Sequence, residues 1–136
     1  MRVRNRISRL LVLLSAALAS IAQAEDPKIA YWLHCGGCHH LDGQGTPPEI
    51  PTLIDAPGEI AALPGGREYL IRIPGVAQAG LDDERLAQVL NYMLETFSNA
   101  SLAADFQPYS GAEIARFRNQ VLLDPLKSRA KLFSAE

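Results

Sequence analysis

The stretch Cys35-Gly36-Gly37-Cys38-His39 contains both cysteines of the 136-residue chain, and a histidine follows the second of them directly. Its spacing, C-x-x-C-H, is the pattern of covalent haem attachment. Two thiols one helical turn apart can each add to a vinyl group of one porphyrin, and the adjoining imidazole then points at the iron. The two glycines leave space for the porphyrin edge. The stretch therefore predicts one covalently bound haem c.

Other uses of a C-x-x-C pair fit the rest of the chain less well. A thioredoxin-like pair needs a βαβ setting, and the sequence has no convincing β-alternation. A zinc site needs a second pair of ligands, but no cysteine or histidine follows His40. Two cysteines cannot build a disulfide framework, although a single disulfide or two free thiols remain open as alternatives.

Length and composition limit the fold classes that the chain can adopt. A chain of 136 residues allows one domain and is too short for an α/β barrel or a doubly wound cofactor fold. Its 48% hydrophobic content is that of a folded protein and excludes wholesale disorder. We find no catalytic Ser/His/Asp set, patterned carboxylate pair or phosphate-binding loop, and so expect no enzyme.

The first 24 residues have the three parts of a secretory signal peptide. Four arginines precede an uncharged apolar run from Leu10 to Ile21, and Ala22-Gln23-Ala24 supplies a cleavage site. Twelve apolar residues are too few to span a bilayer, which takes about 20. We therefore expect export to the periplasm and no stable membrane insertion after cleavage, with an uncleaved N-terminal anchor as the alternative.

Cleavage would change the charge of the protein. Four of the thirteen basic residues and none of the fifteen acidic ones lie in residues 1–24, which leaves a net charge of −6 on the remaining 112 residues. An acidic surface discourages binding to nucleic acid or anionic lipid and favours a basic patch on a protein partner. We expect no nucleic-acid partner.

The sequence predicts helices and loops only. Asp26 and Pro27 suit the start of a helix that runs to His40, and apolar residues at helical spacing predict a second helix over Leu81 to Phe97. Capping patterns predict a helix after Ser110 and another from Pro125 to Phe133. Between positions 41 and 80, proline and glycine predict a long loop with one short helix around residues 68–72. The fold class is all-α, and its small core would be completed by an apolar prosthetic group.

The run Cys35-Gly36-Gly37-Cys38-His39-His40-Leu41-Asp42-Gly43-Gln44-Gly45 resembles the C-x-x-C-H-x-x-D-G-x-G of class I monohaem c-type cytochromes. Pro51-Thr52-Leu53 resembles their P-x-L, and the Leu81 to Phe97 segment their last core helix. The resemblance covers Asp26 to Phe97. It implies a cytochrome c domain over residues 25–98, after the signal peptide 1–24, with a C-terminal helical extension over residues 99–136.

The resemblance also implies roles for single residues. Cys35 and Cys38 would form the two thioether bonds, and His39 would be the proximal iron ligand. The carbonyl of Pro51 would accept a hydrogen bond from Nδ1 of His39, which orients the ring and raises its basicity. Leu53 would pack on the haem face.

The sixth iron ligand departs from the family pattern. These cytochromes usually place a methionine in the loop before the last core helix, but the only methionine after the signal peptide is Met93, inside that helix. Met93 is either the sixth ligand or a core residue on the apolar stripe. Without it the iron would be five-coordinate or bound by an unusual donor, for which Tyr69 and Gln78 are the candidates.

Two arginines are candidates for the haem propionates. Arg67 and Arg72 precede the last core helix, and a guanidinium group binds a carboxylate in two-pronged fashion. A solvated surface position is the alternative for both. We expect His34 and His40 at the surface or near the propionates, because they flank the attachment site too closely to reach the far side of the haem.

The sequence therefore predicts a periplasmic electron carrier between redox proteins, with a dehydrogenase as donor and a reductase or oxidase as acceptor. A haem protein that binds or senses O₂, NO or CO, or acts as a small peroxidase, is the second hypothesis, since a missing methionine leaves an iron position open. A docked subunit of a larger oxidoreductase is the third, since the apolar extension after residue 99 needs a cover.

Overall fold

The computed structural model describes residues 25–134, and the predicted signal peptide lies outside them. Eight helices lie within the described part, and no strand does. They are α1 (Pro27–His34), α2 (Gly36–His39), α3 (Ala56–Ala62), α4 (Gly66–Arg72), α5 (Pro74–Ala77), α6 (Asp83–Phe97), α7 (Gly111–Phe117) and α8 (Pro125–Phe133). The only extended pairing among these residues is a bridge between Thr46 and Ile50. The predicted all-α class is confirmed. No helix in this range is long and apolar enough to cross a membrane.

The helix starts that the sequence predicts are present, and side-chain caps explain them. Asp26, Asp82, Ser110 and Asp124 each accept a hydrogen bond from a backbone N–H in the first turn of the helix that follows. Such a cap binds one of the four N–H groups that a helix start leaves without a partner. The predicted first helix divides at Cys35, where the backbone leaves the helical region and α2 begins.

The prediction of a mostly irregular segment between positions 41 and 80 is wrong in two places. The segment contains α3 and α5 in addition to the expected short helix, which is α4. Pro57 and Pro74 stand in the first turns of α3 and α5. Proline has no N–H to lose at that position and its φ angle suits a helix, so these prolines start helices here instead of breaking them.

The long helix α6 forms the centre of the core. It packs against α1 on one side and α7 on the other. At the crossing with α1, the ring of Tyr31 lies 5.1 Å from that of Phe97 and 5.8 Å from that of Tyr92, between centroids. Tyr31, Leu86, Leu94 and Ile114 are almost completely buried. The apolar stripe that the sequence shows on α6 therefore faces two partners and not one.

Residues after the cytochrome c motifs pack onto the same body. Tyr109 and Ile114 belong to the main core, while Leu122 and Leu132 pack against Ile60 and neighbouring residues in a smaller second cluster. Leu123 and Leu126 instead point into solvent. Most of the apolar content of this segment is thus covered by the chain itself.

Ser98 links the end of α6 to the segment between α2 and α3, residues 40–55, which we call the motif loop. Its side chain is buried, and its hydroxyl donates a hydrogen bond of 2.9 Å to the carbonyl of Leu53. We expect Ser98→Ala to lower the free energy of unfolding by about 1–3 kcal/mol, because the carbonyl loses its partner. Denaturant unfolding measures this change. The control is Ser134→Ala. The exposed hydroxyl of Ser134 donates to the carbonyl of Lys131, and its loss should lower the free energy of unfolding by less than about 0.5 kcal/mol. Equal effects of the two substitutions would contradict the assigned role.

Candidate haem site

A mainly apolar cavity of about 280 Å³ lies between the motif loop and the helices α3 to α6. Both cysteines and His39 line it, as do the motif residues Pro51 and Leu53. Further wall residues come from the segment that spans α3 to α6 and from the C-terminal extension, and they include Ile60, Tyr69, Leu70, Ile73, Val76, Val89, Leu90, Met93 and Arg129. An apolar cavity with two thiols and an imidazole at one side fits a covalently attached porphyrin.

The two thiols stand one turn apart at the start of α2. The N–H of Cys38 donates to the carbonyl of Cys35 over 3.2 Å, and the N–H of His39 donates to the same carbonyl over 2.9 Å. Neither cysteine forms a disulfide. Cys35 is half-buried and Cys38 exposed. Burial raises the pKa of the Cys35 thiol to about 11, so it is neutral before haem attachment.

The imidazole of His39 is held by the motif loop. Its Nδ1 lies 3.0 Å from the carbonyl oxygen of Pro51, the contact that the resemblance implies. A carbonyl can only accept, so Nδ1 carries the proton and Nε2 keeps its lone pair for a metal. Burial lowers the pKa of His39 although the Pro51 hydrogen bond opposes this shift. The His39 ring is therefore neutral, and the lone pair of Nε2 is available to a metal ion.

Two glycines allow the loop to fold this closely. Gly43 has φ +76°, and a Cβ there would lie 2.8 Å from the ring of Phe97. Gly45 has φ +64°, and a Cβ there would lie 2.7 Å from the carbonyl oxygens of both Ile50 and Pro51. Only glycine combines such a backbone with such close neighbours. The two glycines of D-G-x-G are thus required to bring the Pro51 carbonyl to His39.

Leu53 forms part of the cavity wall, and backbone contacts fix it there. Its N–H donates to the carbonyl of Gly43 over 2.7 Å, and its own carbonyl accepts the bond from Ser98. Tyr31 of α1 also holds the start of this loop, because its hydroxyl donates to the carbonyl of His40 over 2.7 Å. The loop is therefore bonded to both α1 and the end of α6.

The other two histidines lie at the surface, as expected. His34 is exposed at the rim of the cavity. His40 is exposed as well, and its Nε2 lies 3.4 Å from the hydroxyl of Thr46. His40 does not line the cavity.

Met93 keeps both of its predicted roles. Its side chain is buried within the main core cluster, and it also lines the cavity. Of the two alternative donors, Tyr69 lines the cavity, but its hydroxyl donates to the carbonyl of Pro125 over 3.2 Å. Gln78 is exposed and does not line the cavity. Met93 is the only thioether in the described part of the chain, so it remains the candidate sixth ligand.

Arg67 and Arg72, predicted to bind propionates, have other partners in the structure. The guanidinium of Arg67 forms two hydrogen bonds of 2.9 and 2.7 Å with the carboxylate of Glu113 and a third to the carbonyl of Gln107. Arg72 donates to the carbonyl of Gln120 over 2.7 Å. Neither lines the cavity. Both arginines bind the C-terminal extension, because it packs over the outer face of α4.

The sequence reasoning missed Arg129, which lines the cavity from α8. The extension lies outside the family pattern that predicts the haem contacts, and that pattern assigns no cation there. A signal was nevertheless available: Arg129 and Leu132 are three residues apart and share one face of the predicted helix. The packing of Leu132 against the second cluster therefore turns Arg129 inward as well.

Arg67 offers a test of its structural role. We expect Arg67→Gln to lower the free energy of unfolding by about 1–3 kcal/mol, because Glu113 loses a two-pronged partner and Tyr109 loses the guanidinium 4.1 Å above its ring. The haem absorbance should not change, because the side chain lies outside the cavity. Arg116→Gln is the matched control, since Arg116 is exposed. An altered haem spectrum in Arg67→Gln would instead support the propionate role.

Comparison with known proteins supports a haem site in this chain. No protein-family model matches the chain. A cytochrome c-552 of Thermus thermophilus is 33% identical to it over 121 residues, which cover 76% of this chain and 80% of that protein. A second cytochrome c-552 of the same species is 33% identical over 118 residues, covering 74% of this chain and 88% of the other. With this identity over most of both chains, the protein belongs to the small monohaem c-type cytochromes, which carry covalently bound haem c.

Proposed function

We propose that this cytochrome is a periplasmic carrier that takes single electrons from one redox protein and passes them to another. The observation that carries the proposal is the arrangement around His39. Cys35, Cys38 and a neutral imidazole fixed by Pro51 face one apolar cavity. No set of acid and base groups at the cavity is needed for such a function, because no proton or substrate group has to be transferred.

The haem supplies the one-electron Fe(II)/Fe(III) couple, and the residues of the chain control it. Pro51 holds the proton on Nδ1 of His39 and so keeps Nε2 available as the donor atom. Leu53, Val89 and Leu90 line the cavity with apolar groups and would keep water away from a bound haem. Burial of a haem among apolar side chains is one of the main determinants of its potential.

The exposed side of the attachment site suits a weak, short-lived encounter with a partner. Cys38 is exposed, and the neighbouring side chains of Leu33 and Leu41 are 69% and 60% exposed. These exposed apolar side chains, close in the sequence to the attachment residues, would give a partner a small contact surface, and we expect less than about 1,200 Å² to be buried. The partners we propose are a dehydrogenase as donor and a reductase or oxidase as acceptor.

A second candidate function is the binding of a small ligand such as O₂, NO or CO, including a peroxidase-like use of peroxide. The observation that favours it is the short connection between α4 and α6, which contains α5 and no methionine. If Met93 serves only the core, the iron keeps an open position. A third candidate, a docked subunit of a larger oxidoreductase, is supported by the solvent-facing Leu123 and Leu126.

The export proposal has a direct test. The protein purified from the periplasm should begin at Glu25, because cleavage is expected after Ala24, and its mass should exceed that of the polypeptide by one haem. Intact-mass measurement gives both results at once. The variant in which Cys35 and Cys38 are both alanine should be exported but lack the added mass. A wild-type protein that retains residues 1–24 would support the N-terminal anchor instead.

Met93→Leu separates electron transfer from ligand binding. If the thioether binds the iron, the variant should lose the weak ferric absorption band at the red end of the spectrum, show a lower midpoint potential and bind CO readily. Leucine keeps nearly the same volume, so the core is retained. Leu86→Met adds a thioether to the core side of the same helix, away from the cavity, and is a control for packing. A wild-type protein that is already high-spin and binds CO at rest would favour the second candidate.

A further inference from the structure

His40 has a backbone conformation that only glycine adopts without strain. Its φ angle is 61° and its ψ angle is 165°. At these angles the Cβ of any other residue crowds the neighbouring backbone, so the conformation persists only where surrounding contacts enforce it. His40 directly follows His39, and strained backbone of this kind is concentrated at functional sites. The contacts that hold His40 must therefore offset the strain.

Two donors hold the carbonyl of His40. The hydroxyl of Tyr31 donates to it over 2.7 Å, and the N–H of Gly43 donates to it over 3.3 Å. The side chain of Tyr31 is completely buried and packs against Tyr92 and Phe97, so its hydroxyl has a fixed position. Burial also raises the pKa of Tyr31 to about 12, so the hydroxyl keeps its proton and remains a donor.

The peptide group between His39 and His40 connects this contact to the candidate iron ligand. The carbonyl of His39 accepts a hydrogen bond of 3.0 Å from the N–H of Gly45, and its Nδ1 lies 3.0 Å from the carbonyl oxygen of Pro51. If His40 relaxed to a negative φ, the peptide group that follows His39 would rotate. Both contacts of His39 would then change in length.

We infer that Tyr31 is a positioning residue for the iron ligand, because its hydroxyl holds the strained backbone of His40 and so keeps His39 in hydrogen-bond contact with Pro51. This hydrogen bond makes Nε2 of His39 a more basic donor. A more basic donor stabilises ferric iron over ferrous iron and lowers the midpoint potential. The inference rests on the haem of this family and not on the proposed partners or on the cellular compartment.

The first experiment compares Y31F with Y92F in the haem-loaded protein, after the mass of each variant has confirmed one attached haem. Each substitution removes one hydroxyl and keeps the ring. The ring of Tyr92 lies 5.8 Å from that of Tyr31, but its hydroxyl makes no hydrogen bond to the motif loop as far as the structure describes that loop and its surroundings. We expect Y31F to raise the midpoint potential, with a shift several-fold larger than that of Y92F. Equal shifts in the two variants would overturn the inference.

The second experiment introduces Y31F into two further variants, H40A and H40G. Both lack the imidazole of His40, but alanine keeps the strained Cβ, whereas glycine adopts the same backbone without strain. We expect Y31F to shift the potential fully in H40A and by about half or less in H40G, because an unstrained backbone depends less on the Tyr31 hydroxyl. An equal or larger shift in H40G would contradict the inference, since the hydroxyl would then act independently of the strain.

Unfolding measurements cover the case in which Y31F does not assemble. H40G should unfold at a higher denaturant concentration than H40A, although glycine in place of alanine usually destabilises a protein. The matched control is His34, which is exposed at the end of α1, where H34G should unfold at a lower concentration than H34A. If H40G is no more stable than H40A, no strain exists at His40 and the inference is wrong. None of these results depends on which proteins exchange electrons with this one.

Discussion

The hydrogen bond between Nδ1 of His39 and the carbonyl of Pro51 is the contact on which the site depends. It joins the short helix that carries the attachment residues to a loop twelve residues further on. The proton on Nδ1 leaves Nε2 as the donor atom, and the ring cannot rotate without breaking the bond. This contact therefore fixes the orientation of the candidate iron ligand relative to the cavity.

Keeping that contact requires a loop that folds back very closely on itself. Gly43 and Gly45 permit the approach, because a Cβ at either position would collide with Phe97 or with the carbonyls of Ile50 and Pro51. The loop is then held from outside by Tyr31 of α1 and by Ser98 at the end of α6. Helix packing and haem geometry are therefore coupled: the crossing of α1 and α6 supports the loop, and the loop supports His39.

Arginines add polar contacts to the apolar packing that holds the C-terminal extension on the core. Arg67 and Arg72 hold it on the outer face of α4, and Arg118 donates to the carbonyls of Ala77 and Leu81 as well as to Asp83. Arginine suits this role because its planar group can bind several oxygens at once. Arg67 and Arg72, which the sequence suggests as propionate-binding cations, therefore bind oxygens of the C-terminal extension instead.

Much of this protein is determined by local sequence alone. The C-x-x-C-H spacing indicates the cofactor and its attachment residues, capping patterns indicate where α1, α7 and α8 begin, and periodic apolar residues indicate the buried face of α6. Local patterns were misleading at proline, which occurs both in loops and in the first turn of helices. Pro57 and Pro74 stand in first turns, and a short window of sequence does not distinguish the two uses. The partners of Arg67 and Arg72 were likewise decided only by tertiary structure. A charged side chain binds whatever the fold brings within reach, and the contacts concerned join residues about forty or more positions apart in the chain.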